Sequence, residues 1–128
     1  MCRYNLAYAE LALGHGEPLA SGAVRGTPWR LSMDKSQPGT AQVHTFSSFG
    51  AALVPDLEGD GSLRSESVNC AQHWLTVDEG ARCQLAGRLV HAGAHIEHTL
   101  GVLDGHNPPL AQDIEGCLTP DAQLCVVQ

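Results

Sequence analysis

This chain of 128 residues has few basic residues and few aromatic ones. Seven lysines and arginines face fourteen acidic residues, which gives a net charge of −7, and aromatic residues make up 5% of the chain. A surface that binds duplex nucleic acid would need a basic patch strong enough to overcome that repulsion. The basic residues are scattered and do not cluster with aromatic ones. We therefore expect no direct binding of nucleic acid.

Motifs of several common enzymes and membrane proteins are also missing. No serine lies in a G-x-S-x-G sequence, and neither a phosphate-binding loop nor a dinucleotide-binding glycine pattern occurs. No segment is apolar enough to span a bilayer. Residues 1–5 lack the basic region and apolar stretch of a signal peptide, which predicts a cytoplasmic protein. Whether the chain is an enzyme is left open by these absences.

The five cysteines form no C-x-x-C pair, which argues against zinc-ribbon and thioredoxin-type sites. In a reducing cytosol they are most simply small, buried apolar residues. Cys83, Cys117 and Cys125 fit that interpretation well, because each lies within an apolar strand pattern. We expect these three thiols to be buried.

Short segments with strand character, separated by turn residues, run through the whole sequence. They comprise residues 29–33, 40–46, 63–77, 111–118 and 122–127, together with two strands predicted within 80–104. Residues 4–13 could form a helix or a strand, and their place at the start of a strand-rich chain favours a strand. A short helix is predicted within 47–57, where Ser47 or Ser48 could cap it and Pro55 would end it. The chain length favours one domain over residues 1–128. The predicted fold is mainly β (α+β), with seven to nine short strands in a barrel-like or wrapped sheet and one or two short helices.

The stretch from Gly80 to Asp104 is predicted to be a hairpin around which the rest is arranged. Alternation of apolar and polar residues favours two strands, and Gly93 could take a positive φ in the turn between them. Four of the seven histidines fall between His91 and His106. The hairpin would bring imidazole and carboxylate groups into a shared recess.

Four residues in and after this hairpin are candidate metal ligands: His95, Glu97, His98 and Asp113. On a strand, His95 and Glu97 share a face, and Asp113 could add a third ligand from the next strand. His98 would need a bulge to join them, because residues three apart on a strand point to opposite faces. A helix would bring His95 and His98 together, but Gly93 and the β-compatible composition argue against one. The alternative is that these are ordinary surface or half-buried histidines.

The second half of the chain resembles the PPC family, the plant and prokaryote conserved domain, over residues 50–128. The matching pieces are Gly61–Leu63, Glu79–Gly80, Gln84–Leu89, Gly93–His98, Leu100–Gly101, Asp104–Gly105, Ile114–Leu118 and Asp121–Val127. The resemblance implies a homo-oligomer, with trimers favoured, and a divalent metal such as zinc, or a small ligand, at a cleft between subunits. The family's two histidines stand two residues apart, whereas His95 and His98 stand three apart. The resemblance therefore implies a metal-binding role for His95 alone.

Residues 85–104 also look like the paired strands of hot-dog acyl-CoA thioesterases. That resemblance implies a central helix entered through Val43–His44 and running over residues 49–56. It implies a catalytic carboxylate at Asp56, acting near His44. The sequence thus leaves three functions: a PPC-like cytoplasmic binding module, a hot-dog thioesterase, and a structural or interaction protein without a site.

Overall fold

The computed structural model describes residues 5–22, 24–104 and 111–127, without the side chains of 102–104. In chain order its elements are β1 (Leu6–Leu11), α1 (Glu17–Ser21), β2 (Trp29–Asp34), β3 (Gln42–Thr45), β4 (Ala51–Pro55), β5 (Leu63–Ser67), α2 (Trp74–Val77), α3 (Glu79–Asp104), β6 (Gly116–Leu118) and β7 (Leu124–Val126). The strands form three antiparallel sheets, in the orders β1-β2-β3, β4-β5 and β6-β7.

The three-stranded sheet is built around β2, which pairs with β1 on one edge and β3 on the other. Alternate residues of β2, namely Trp29, Leu31 and Met33, are buried almost completely. Their period of two puts all three on one side of the sheet. That side faces the core and receives α3.

The stretch predicted as a hairpin is instead the helix α3, and the prediction of two strands over residues 80–104 is wrong. Asp78 begins the helix: its carboxylate accepts a hydrogen bond from the amide of Ala81 at 3.0 Å, as a helix-capping residue does. Gly93 lies within the helix and does not have a positive φ. Because a helix places residues three and four apart on one face, this correction changes which candidate ligands meet.

Two neighbouring clusters form the core. In the first, Trp29 of β2 packs with Phe49, Cys70, Leu75 and Leu85. The second joins Met33 of β2 to Ala86 and Val90 of α3. Thus α3 and β2 each contribute to both clusters, and residues 85–90 of the helix, a little under two turns, pack in them.

A polar network reinforces the junction between α2 and α3. The Arg82 guanidinium donates hydrogen bonds to the carbonyls of Leu75 and Thr76 at 2.9 and 3.1 Å. The hydroxyl of Thr76 accepts a hydrogen bond from the indole of Trp29 and donates one to the carbonyl of Cys70. The two bonds from Arg82 satisfy carbonyls in the last turn of α2, where a helix leaves its carbonyls without partners of its own.

The α+β description is confirmed at the level of seven antiparallel strands and three helices within the described residues. The expectation of only short helices is wrong, since α3 has 26 residues. The helix predicted within 47–57 is also wrong, because residues 51–55 form β4. Over the ranges that the structure covers, the three sheets are separate and none closes on itself, so the barrel-like sheet is not confirmed.

Strands β1, β2, β3, β6 and β7 confirm their sequence predictions, while the segment 63–77 is a strand only over β5 and turns helical from residue 70. None of the helices in the described part of the chain has both the length and the apolar character needed to cross a membrane.

Candidate functional site: the histidine face of α3

The helix brings three histidines onto one exposed face. His91, His95 and His98 stand at i, i+4 and i+7 and are all exposed. At about 100° per residue, they fall within roughly 60° of the helix circumference. Neighbouring pairs are separated by about 6 Å and 4.5 Å along the axis. We call these three residues the histidine face.

The four candidate ligands named from the sequence do not meet as a group. His95 and His98 share the histidine face, but Glu97 lies about 200° around the helix from His95. Among the described residues, no group of three or more histidines, cysteines or acidic residues is arranged to hold a metal ion. Asp113 is exposed in the irregular segment before β6.

Glu97 has a different partner. Its carboxylate accepts two hydrogen bonds from the Lys35 ammonium, at 2.8 and 3.1 Å. Both side chains are only about one-fifth exposed, at 22% and 21%. Since Lys35 lies in the turn after β2, this ion pair ties that turn to α3. The role that the structure gives Glu97 is therefore to hold the helix on the sheet.

A groove lies beside the histidine face. It has a volume of about 620 Å³ and is lined by Gln84, Gly87, Arg88, His91, Ala92 and Leu124. The first five belong to α3, and Leu124 of β7 forms the opposite wall. Gln84, Arg88 and His91 supply the polar side chains of this lining, and the other three residues are glycine or apolar.

His91 is the residue that sequence reasoning did not include among the ligands. Its spacing of four from His95 is the signal that could have identified it, because two histidines at i and i+4 on a helix form a known zinc-binding arrangement. That signal has no meaning on a strand. The incorrect hairpin therefore hid His91 as well as the relation between His95 and His98.

His44 and Asp56, the residues implied by the hot-dog resemblance, lie on different elements: His44 is in a strand and Asp56 is in a turn. His44 is on β3, and its Nε2 is 2.7 Å from the hydroxyl of Ser32 on β2. The register of β2 and β3 shifts beside this pair, between Arg30 and Leu31. Asp56 lies in the turn after β4, where the resemblance implied the end of a helix. Ser32 was not singled out from the sequence.

His73 lies partly buried beside the core, just before α2. It packs against Trp29 with ring centroids 5.3 Å apart, and burial lowers the pKa of its imidazole below the usual value of 6.5. Its Nδ1 accepts a hydrogen bond from the amide of Leu75 at the start of α2. His73 is therefore a neutral capping residue of the fold.

Cys83, Cys117 and Cys125 were expected to be buried, and none of the three is. Cys117 and Cys125 are exposed and Cys83 is half-buried, whereas Cys70 is buried. The apolar neighbours of Cys117 and Cys125 belong to strands that have one face in solvent.

Compared with known proteins, the chain matches no family model, and no solved structure matches it.

Proposed function

We propose that this chain is a cytoplasmic binding module that takes a divalent metal ion such as zinc on the histidine face of α3. The observation that supports the proposal is the spacing of His91, His95 and His98 on one exposed side of a helix. Imidazole nitrogen is a preferred zinc ligand, at about 2.0–2.1 Å from the metal. The free thiols of the described cysteines agree with a reducing compartment.

His95 is the central ligand of this proposal. It can pair with His91 one turn before it or with His98 one turn after it, and either pair supplies two nitrogens. His91 and His98 are about 10.5 Å apart along the axis, two turns of helix, and without His95 they form no pair. A zinc ion with two protein ligands has positions left for water or for another chain.

A second copy of the chain is the partner that would complete the site. One neighbouring histidine pair from each of two copies supplies four nitrogens in all, which matches tetrahedral zinc. This arrangement predicts one zinc per two chains. The trimer implied by the PPC resemblance predicts a multiple of three chains, so the mass of the zinc-bound assembly distinguishes the two forms of the proposal.

The test is a zinc titration of chelator-treated protein by calorimetry, with the mass of the assembly followed by light scattering. We expect zinc binding to fall more than tenfold in His95→Ala, because no neighbouring pair remains on the face. His15→Ala is the matched control, since His15 is also exposed but lies before α1. Equal zinc affinity in His95→Ala and the unmodified protein would refute the proposal.

A second function, hydrolysis of an acyl thioester or ester, is favoured by the 2.7 Å contact between Ser32 and His44. A histidine at hydrogen-bond distance from a serine hydroxyl can accept its proton as the oxygen attacks an acyl carbonyl. In this proposal the catalytic nucleophile is the Ser32 hydroxyl, whereas the hot-dog resemblance implied a catalytic carboxylate at Asp56. A panel of acyl-CoA thioesters and simple esters tests it. Turnover that survives in both Ser32→Ala and His44→Ala would exclude this pair.

A further inference from the structure

The C-terminal strands place two thiols directly opposite each other. Cys117 on β6 and Cys125 on β7 are partners in the antiparallel register. Both residues are exposed and both thiols are free. Directly opposed residues of an antiparallel pair point to the same face of the sheet, so the two thiols emerge side by side.

The alternation of side chains shows which face that is. The neighbouring cross-strand pair, Leu118 and Leu124, is half-buried. Leu118 packs against the core cluster that contains Trp29, and Leu124 lines the groove beside α3. Since successive residues on a strand point to opposite faces, Cys117 and Cys125 point away from the body of the protein into solvent.

The spacing of the two backbones suits a bond between the thiols. The amide of Thr119 donates to the carbonyl of Gln123, and that of Val127 to the carbonyl of Glu115, both at 2.9 Å. Alternation along the ladder makes Cys117 and Cys125 a hydrogen-bonded pair, for which Cα atoms lie about 5.5 Å apart. Disulfides accept Cα separations of about 4.4–6.8 Å.

A glycine beside the pair allows the strands to lie this close. A Cβ atom at Gly116 would come within 2.6 Å of the carbonyl oxygen of Cys125. Any other residue at that position would push β7 away from β6. The chain therefore has its smallest residue where the approach of the strand that carries the second cysteine is closest.

We propose that Cys117 and Cys125 form a dithiol site that exchanges with low-molecular-weight disulfides such as oxidised glutathione. One cysteine, as a thiolate, attacks a sulfur of the small disulfide, forms a mixed disulfide and releases one small thiolate. The second cysteine, also deprotonated, attacks the protein sulfur of that mixed disulfide and releases the other small thiolate. The two cysteines are oxidised to a disulfide, the small disulfide is reduced to two thiols, and the two cysteine protons are transferred to the departing thiolates.

The same geometry makes the reaction reversible. In a hydrogen-bonded pair the Cβ atoms lie near the upper end of the usual range of about 4.5–5.5 Å, whereas a disulfide has a mean Cβ separation of about 3.8 Å. Closing the bond must draw the strands together, and a disulfide under such strain is readily reduced. The site is therefore suited to cycling between the reduced dithiol and the oxidised disulfide.

Neither of the other described cysteines offers an equivalent site. Cys70 is buried, and its thiol donates a hydrogen bond to the carbonyl of Phe49 at 3.3 Å. Cys83 is half-buried on α3 and is not paired in register with another cysteine. Within the described ranges, only the β6–β7 pair combines exposure with a facing partner.

Peptide mapping tests the proposal on the full chain. The reduced protein is incubated with excess oxidised glutathione, its remaining thiols are blocked with an alkylating reagent, and it is digested with trypsin. Arg88 is the last basic residue, so the peptide 89–128 carries Cys117 and Cys125 as its only cysteines. We expect this peptide unalkylated and lighter by about 2 Da than its reduced form, because two hydrogens are lost. Cleavage before Asp121 should leave two peptides joined only by the disulfide.

Single substitutions provide the controls. Cys125→Ser should accumulate glutathione at Cys117, at least tenfold more than the unmodified protein does, because the resolving thiol is gone. Cys117→Ser should do the same at Cys125, and Cys83→Ser should behave as the unmodified protein. Stable glutathione on both cysteines of the unmodified protein would overturn the proposal, as would a bond from either one to Cys83 or no reaction at all.

Discussion

The two sides of α3 differ in what they contact and in what their residues can do. One side presents Leu85, Ala86 and Val90, all buried against the core, and these residues have no chemistry to offer beyond packing. The other side presents the histidine face to solvent and to the groove. Packing and the proposed binding therefore fall on opposite sides of a single helix, so that substitutions on the buried side should alter stability and substitutions on the exposed side should leave it unchanged.

The largest expected effect comes from the buried side. Leu85→Ala should lower the free energy of unfolding by about 2–5 kcal/mol, because it removes buried methyl groups and leaves a cavity. Leu85 is 4% exposed and packs with Trp29. Denaturant unfolding measures the change. Gln84→Ala is the matched control, one residue away on the exposed side, and should change the free energy by no more than about 0.5 kcal/mol. Equal losses from both would contradict the division of the helix into two sides.

An intermediate effect is expected at the ion pair that fixes the helix to the turn after β2. Glu97→Gln should lower the free energy of unfolding by about 1–2 kcal/mol, between the values for exposed and fully buried pairs. The substitution leaves the Lys35 ammonium partly buried without its counter-charge. Glu10→Gln is the control. Its carboxylate pairs with Arg30, with Nε and Oε1 3.2 Å apart, and both side chains are more exposed than those of Lys35 and Glu97. A loss at Glu10 as large as that at Glu97 would show that burial is not the cause.

The smallest expected effect is a gain. Gly93→Ala should raise the free energy of unfolding by about 0.5–1 kcal/mol, because alanine favours a helix interior over glycine by about that amount. A Cβ atom there meets nothing within 4 Å. Gly22→Ala is the matched control: its surroundings are equally open but its φ is +63°, so alanine should destabilise the protein there. Destabilisation at Gly93 would support the hairpin in place of the helix.

The sequence predicted strands where one face alone is buried. The prediction of β1 rested on the place of residues 4–13 at the start of a strand-rich sequence, because their apolar and polar residues do not alternate cleanly. In β2 the side chains alternate between buried and half-buried positions, and that period of two can be read without knowing the partner strand. The same criterion failed for α3. Its four glycines, Gly80, Gly87, Gly93 and Gly101, lower helix propensity, and residues 81–89 happen to alternate. The capping position of Asp78 was the contrary signal, together with the absence of proline from residues 79–104.

In the candidate site, the local sequence predicted which residues could act as ligands but did not predict which of them lie together. Residue type and proximity in sequence identified His95 and His98, but their relation depended on the secondary structure. The partnership of Glu97 with Lys35 spans 62 positions of the chain and exists only because α3 packs on β2. No local rule indicates such a contact, which is why Glu97 was assigned to a metal and not to the fold.

The turn between β4 and β5 has a practical consequence. Its ends are joined by a 2.8 Å hydrogen bond from the amide of Asp56 to the carbonyl of Ser62, and Leu57 within it is 89% exposed. A peptide tag or fluorescent reporter inserted there would leave and re-enter the protein at neighbouring points. Such an insertion would label the molecule without touching the helix or the C-terminal thiols.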